Sequence, residues 1–271
     1  MLALIQRPEV LERPITDVSW LDLTLAFGLV LIAIGISRWQ KLGLGKDLVV
    51  GAIRTVLQLA LVGYVLVYIF ALDRWYLVIA ALLFMLAVAT HTAVDRQERS
   101  DRALLGITAA AMLLGSGLTL VYVGAVVVRM EPWYNPRYLI PLFGMIVGNA
   151  MNAAALAAER LRSEVEGRRA EIEAYLALGA SAEQASSEPV RRSLLASLIP
   201  TVNGLMVVGL VSIPGMMTGQ IIAGASPLTA FRYQIIVMFM LASSVAITAT
   251  LVTLWYRRTF FTDAEQLRVR S

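Results

Sequence analysis

Apolar runs of about 20 residues, each closed by a short polar interval, recur along the chain. That is the length an α-helix needs to cross a bilayer core. Seven such runs are predicted as membrane spans, at about 18–37, 48–71, 76–93, 104–128, 138–158, 194–224 and 231–255. The predicted fold is therefore all-α: a polytopic membrane helical bundle forming a single domain over 1–271. One polar interval, 159–193, is far longer than the rest. There Leu161, Val165, Ile172 and Leu176 recur at helical spacing among Arg160, Arg162, Glu164, Arg168, Arg169, Glu171 and Glu173. Gly179 is placed to stop that helix, because glycine alone takes the left-handed conformation without a steric penalty. Ser181 is placed to start another, with Gln184 three residues on to complete a capping box. The interval is predicted to be a helix–turn–helix elbow that leaves the membrane and returns to it.

Charge gives the elbow a side. Of the Lys and Arg residues, sixteen fall in the intervals 38–47, 94–103, 159–193 and 256–271, and six in 1–17, 72–75, 129–137 and 225–234. Positive loops stay inside. The N-terminus is predicted outside, and the elbow and C-terminus in the cytosol. A hydrophobic content of 58% in 271 residues excludes an ordinary soluble domain. The net charge of +4 is spread over short loops, which argues against a nucleic-acid partner. The chain has no cysteine, which excludes disulfides, thiolate metal sites and a cysteine nucleophile. Met1 to Asp17, with Pro8 and Pro14, lacks the basic start and apolar core of a cleavable signal. Around Gly45-Lys46, Gln40 and Asp47 stand where a phosphate loop needs Gly and Ser or Thr. No ATPase is expected in this chain.

Polar residues inside the runs are the candidate chemistry. Arg54 and Gln58 lie one helical turn apart in the second run, where the arginine either snorkels to the surface or faces a path. In the fifth run Gly144, Gly148 and Asn152 are spaced by four for close packing, while Asn149 and Asn152 need amide partners. Those amides form either an interhelical seam or part of a substrate path. The sixth run is too long for one straight crossing, and Pro214-Gly215 is predicted to break it. Asn203, Pro214, Gly215, Met216, Met217 and Gln220 are thus the candidates for a moving or substrate-facing region. His91 stands alone, which fits a structural role better than a metal ligand. The mixed-sign stretch Asp95 to Arg102 is predicted to be a solvated connector. No metal site can be assembled from side-chain types alone.

The elbow resembles the cytoplasmic loop of ATP-binding cassette permeases, which reads EAA, three residues, then Gly. Glu173, Ala174, Leu178, Gly179, Ala180, Ser181 and Gln184 match that pattern, and Tyr175 stands where a second Ala is usual. With the strings 144–151 and 208–219, Arg54, Gln58-Leu59, Gly63-Tyr64 and Tyr233-Gln234-Ile235, the chain resembles the FetB-type iron-export permeases over nearly its full length. That family has plant relatives linked to aluminium tolerance and nucleotide-sugar transport. The resemblance implies a permease subunit in the bacterial inner membrane, with a nucleotide-binding FetA-like ATPase docked on the matching elbow residues. ATP and Mg would then be bound in that partner, and two permease chains would pair. Efflux of iron or another metal ion is the activity it implies.

Three further readings remain. A permease for another substrate, such as a nucleotide sugar, shares every feature above. A secondary carrier or channel would call for carboxylates inside the spans, and none stands mid-span. A membrane enzyme would need a nucleophile–base or metal constellation, which one histidine and no cysteine do not supply.

Overall fold

The computed structural model describes residues 19–95 and 102–268. They form ten α-helices, with no β-strand among the described residues, in two compact units. The first unit is a helical hairpin, α1 (Trp20–Trp39) and α2 (Gly45–Leu72), together with residues 220–225. Helix α1 starts on a capping box: Asp22 N–H donates to Ser19 Oγ, and Ser19 N–H donates to Asp22 Oδ2 at 2.9 Å. Gly43, at φ +75°, turns the chain between the two helices. Their side chains, Leu29, Leu61 and Tyr64 among them, are mostly exposed. Helices this apolar that face outward have lipid as their natural solvent.

The second unit holds α3 (Trp75–Asp95) and α4 (Arg102–Tyr122), the latter continued by a π-helical turn, Val123–Val127. It also holds α5 (Pro136–Gly167), α6 (Arg169–Ala177), α7 (Ala182–Ala185), α8 (Ser187–Val207) and α10 (Pro227–Arg258). The boundary between the units falls inside α9 (Gly215–Ile222). Helix α5 is the hub, packing against α3, α4, α8 and α10. Its sequence explains why. Ala150, Ala153, Ala154, Ala157 and Ala158 are all buried, and small side chains let helices approach where no water is expelled to drive association. Helices α4 and α10 come equally close. A Cβ added at Gly115 would overlap Thr248 Oγ1 and sit 3.1 Å from the Ser244 carbonyl oxygen. Hydroxyls hold these contacts: Ser116 and Ser244 are 3.4 Å apart, and Ser193 donates to the Ala157 carbonyl at 2.7 Å.

Six of the described helices are long and apolar enough to cross a membrane. They fall on six of the seven predicted runs, with ends shifted by a few residues. The exception at one end is α5, which runs on past 158 to Gly167 as a charged helix. The sixth run, 194–224, is broken over 208–214, a gap that ends at its Pro214-Gly215 pair. Helix α8 ends at Val207, and Val208 is extended (φ −61°, ψ 133°). Gly209, at φ +81°, then makes a tight turn in which its N–H donates to the Ser212 carbonyl at 2.9 Å. Pro214 stands just ahead of α9, where its missing N–H would be unpaired in any case. The glycine makes the break, and the proline marks the restart.

Candidate functional site

The elbow grows from the polar end of α5. Glu164, only 8% exposed, is gathered by three guanidiniums. Arg160 Nη2 lies 2.7 Å from its carboxylate, Arg168 Nε 3.1 Å and Arg192 Nη1 3.9 Å. Arg168 ends α5 and Arg192 belongs to α8, so one carboxylate ties the outgoing limb to the returning one. A carboxylate so far out of water is tolerable because its charge is matched and hydrogen-bonded. The predicted apolar stripe continues beneath it, with Leu161, Val165 and Ile172 buried at 2% exposure or less.

The turn closes as the sequence reading anticipated. Gly179 sits at φ +89°. Its N–H donates to the Leu176 carbonyl at 3.0 Å, and Ala180 N–H donates to the Tyr175 carbonyl at 3.0 Å. This pair is the Schellman closure of α6. Ser181 then caps α7 with both halves of the box present: Gln184 N–H donates to Ser181 Oγ at 3.3 Å, and Ser181 N–H to Gln184 Oε1 at 2.9 Å. What the turn presents is apolar. Leu178 is 85% exposed and Tyr175 49%. Beside them a notch of about 360 Å³ opens between α6 and the start of α8, bordered by Arg168, Glu171, Tyr175, Gln184 and Glu188. Glu173 pairs with Arg169 at 2.8 Å on the outer face of α6. Glu188 carries Arg191 and Arg192 on its two oxygens, which hold its carboxyl down at about 2.

One partner of the elbow escaped sequence reading. After α10, residues 259–268 fold back on themselves, with Arg268 N–H donating to the Phe260 carbonyl at 2.8 Å. Phe260 and Phe261 are buried, and Phe260 meets Tyr256 edge to face at 4.9 Å. Tyr256, fully buried, accepts from Arg162 Nη2 at 2.6 Å. The hook and the end of α10 each reach α7 once: Ala182 N–H donates to Glu265 Oε2 of the hook at 3.2 Å, and Arg257 Nη1 of α10 stands 3.3 Å from Glu183 Oε1. The only sequence signal for it was a pair of phenylalanines in an otherwise polar tail.

The candidate path residues divide. Asn149 and Asn152 line a cleft of about 220 Å³ walled by Ser197, Pro200, Thr201 and Gly204 of α8 and by Met238 and Leu241 of α10. Asn149 Nδ2 also donates to the Met145 carbonyl one turn back, at 2.9 Å. Asn203 is exposed on α8 and does not line this cleft. Pro214 precedes α9 and Gly215 begins it; on that helix Met216 and Met217 are half-buried and Gln220 has a buried, unpartnered Oε1. Arg54 and Gln58 are exposed on α2, in the first unit. His91 Nδ1 lies 3.2 Å from Asp95, its neighbour one turn on. Among the described residues no three His, Asp or Glu side chains gather as a metal-holding set. The connector at 96–101, the N-terminal residues 1–18 and Ser271 lie outside the described residues.

Comparison with known proteins adds the family context. Residues 20–261 match the model of an uncharacterised protein family, UPF0014. The chain is 39% identical over 248 residues to a protein of Escherichia coli named probable iron export permease protein FetB, covering 92% of this chain and 94% of that one. It is 39% identical over 250 residues to the UPF0014 membrane protein STAR2 of Oryza sativa, covering 92% and 86%. It is 36% identical over 260 residues to the protein ALUMINUM SENSITIVE 3 of Arabidopsis thaliana, covering 93% and 94%. No solved structure matches it.

Proposed function

Because the chain belongs to the UPF0014 family, we propose that it is the permease subunit of an ATP-binding cassette exporter, moving iron or another metal ion with energy from a separate ATPase chain. The elbow carries this reading. It is a short, doubly capped turn that exposes a leucine and a tyrosine at its tip, on limbs tied by Glu164 to two long helices. Exposed apolar residues on a rigid turn are what a partner's groove can grip. Glu173, Ala174, Leu178, Gly179, Ala180, Ser181 and Gln184 are the docking residues in this reading, and ATP and Mg are bound by the partner.

Sidedness follows from the hook. Glu265 touches Ala182, so the elbow and the hook share one face of the membrane. An even number of crossings must then separate them. Helix α10 supplies one, and the broken segment 194–224 supplies the other, which gives seven spans. With the Lys and Arg excess facing inward, the elbow and C-terminus are cytoplasmic and the N-terminus is outside. Paired permease chains in the bacterial inner membrane complete the assembly.

The cleft of Asn149 and Asn152 is the proposed stretch of path, with the α8–α9 break and Arg54, Gln58 and Gln220 as its further candidates. Helix α8 contributes a turn whose Pro200 cannot donate to the Ala196 carbonyl. The same cleft favours a second reading. Its amides, hydroxyls and apolar walls suit a neutral, polar part of a larger solute, such as the sugar of a nucleotide sugar. Purification of the tagged chain from native membranes tests the proposal. A nucleotide-binding subunit should come with it, and its ATPase should be stimulated by the exported ion. Recovery of the folded chain without any ATPase would overturn it.

A further inference from the structure

A second concavity lies apart from the elbow and the amide cleft. It encloses about 580 Å³ between α3, α4 and α5, in the size range of a pocket for a single ligand. Its walls are apolar: Leu82 and Leu86 of α3, Leu113 and Leu120 of α4, and Leu139 and Phe143 of α5. The wall residues of α3 run from Ile79 to Leu86, about 10 Å of helix. The α4–α5 loop closes one end, contributing Arg129, Glu131 and Trp133 to the lining. Trp133 is 60% exposed and stacks edge to face on Tyr134 at 5.6 Å. An exposed Trp-Tyr pair at the end of spanning helices belongs at the headgroup level of a bilayer. The groove therefore starts at that level and descends into the hydrocarbon.

The two charges at this end have opposite signs and stand two residues apart. Arg129 is held in the left-handed region, at φ +53°, and both side chains are exposed. Among the described residues no ion pair joins them. A polar solute would find nothing to bond along the walls. An anionic lipid would meet the Glu131 carboxylate. We infer that the groove holds one acyl chain of a bilayer phospholipid with a zwitterionic headgroup, its phosphate at Arg129 and its ammonium at Glu131. This is a stationary site, distinct from the mobile lipid that surrounds any span.

Gly117 offers the means to test it. It lines the groove, and a Cβ there would meet nothing within 4 Å. Gly117→Leu therefore starts from open space and carries its side chain into the groove. The full chain, purified in mild detergent, is incubated with an equal mixture of phosphatidylethanolamine and phosphatidylglycerol and weighed intact by native mass spectrometry. Wild type should retain one phosphatidylethanolamine, and Gly117→Leu should lose it. Glu131→Gln should cut the preference for phosphatidylethanolamine about fivefold, the weight of one charge near a bilayer surface. Independently of any variant, phosphatidylethanolamine with a photoactivatable acyl chain should label the segment 79–86 in vesicles of mixed phosphatidylethanolamine and phosphatidylglycerol. Several lipids held without preference, and equally by Gly117→Leu, would overturn the site as ordinary boundary lipid. So would a second copy of the chain covering the groove with no lipid retained, or labelling spread evenly over the exposed faces.

Discussion

The Ala182 amide donates to the Glu265 carboxylate at 3.2 Å, joining the first residue of α7 to a tail 83 positions later in the chain. A helix of four residues cannot satisfy its own leading amides, and this bond takes one that the Ser181 box leaves open. Glu265→Ala combined with Arg257→Gln should free α7 from the hook. Hydrogen exchange at residues 182–185 should then rise several-fold, matching the loss of a cap worth about 1 kcal/mol. The absence of cysteine allows a direct check. Ala182→Cys with Glu265→Cys should be bridged by a short bismaleimide in membranes, whether or not an ATPase is present. In the assembly proposed above, the unhooked variant should stimulate ATP hydrolysis less than wild type.

Gly179 occupies φ +89°, which a β-branched residue does not tolerate. Gly179→Val should destroy the Schellman closure and, if the elbow docks as proposed, release the proposed ATPase partner on purification while the chain stays in the membrane. Gly179→Asn, which visits that region at modest cost, should retain much of the binding. Equal retention by Val and wild type would refute docking through this turn.

Glu164 binds the elbow to the bundle. Replacing it with Gln leaves Arg160, Arg168 and Arg192 crowded without their common anion. A loss of about 2 kcal/mol is expected, seen as a lower melting temperature in detergent. Glu164→Asp should recover part of it.

Two glycines two positions apart in α4 give an internal control. Gly115→Ala places a methyl on Thr248 Oγ1 and should cost about 1–3 kcal/mol by prising α4 from α10. Gly117→Ala meets nothing within 4 Å and should be close to neutral in stability. Melting curves of the two variants check the contrast.

Glu188 titrates low because Arg191 and Arg192 hold its charged form. Its folded value, about 2, lies below the ordinary 4.5. The stability it contributes is therefore complete above 4.5 and is lost as pH falls towards 2. Across neutral pH the melting temperatures of wild type and Glu188→Gln should run parallel. Below 4.5 only the wild-type curve should bend down from this cause.

What the sequence disclosed was local. Helical spacing located the six unbroken spans and buried Leu161, Val165 and Ile172. Turn chemistry located Gly179, Ser181 and Gln184, because every bond they make lies within six residues. The hook was invisible for the opposite reason: its anchors, Glu265 to Ala182 and Arg257 to Glu183, leave no periodic trace. The break in the 194–224 run was marked by Pro214-Gly215, but the turn at Gly209 that opens it lay inside an apolar stretch with no signal of its own. Asn203 stands off the cleft by register alone. Helix α8 turns Ser197, Pro200, Thr201 and Gly204 to the cleft, and the residue before Gly204 points about 100° away.

The hook also sets an order of events during synthesis. Ala182 is joined to the growing chain 83 residues before Glu265, an interval of roughly 4–17 s at ordinary translation rates. Throughout it the elbow's leading amide stays open, while the last two membrane segments are still being made. Only residues that follow α10 close it. A nascent chain thus carries every helix of the bundle before its elbow is locked, and a nonsense change after Arg258 would yield a protein that inserts fully yet never completes that lock.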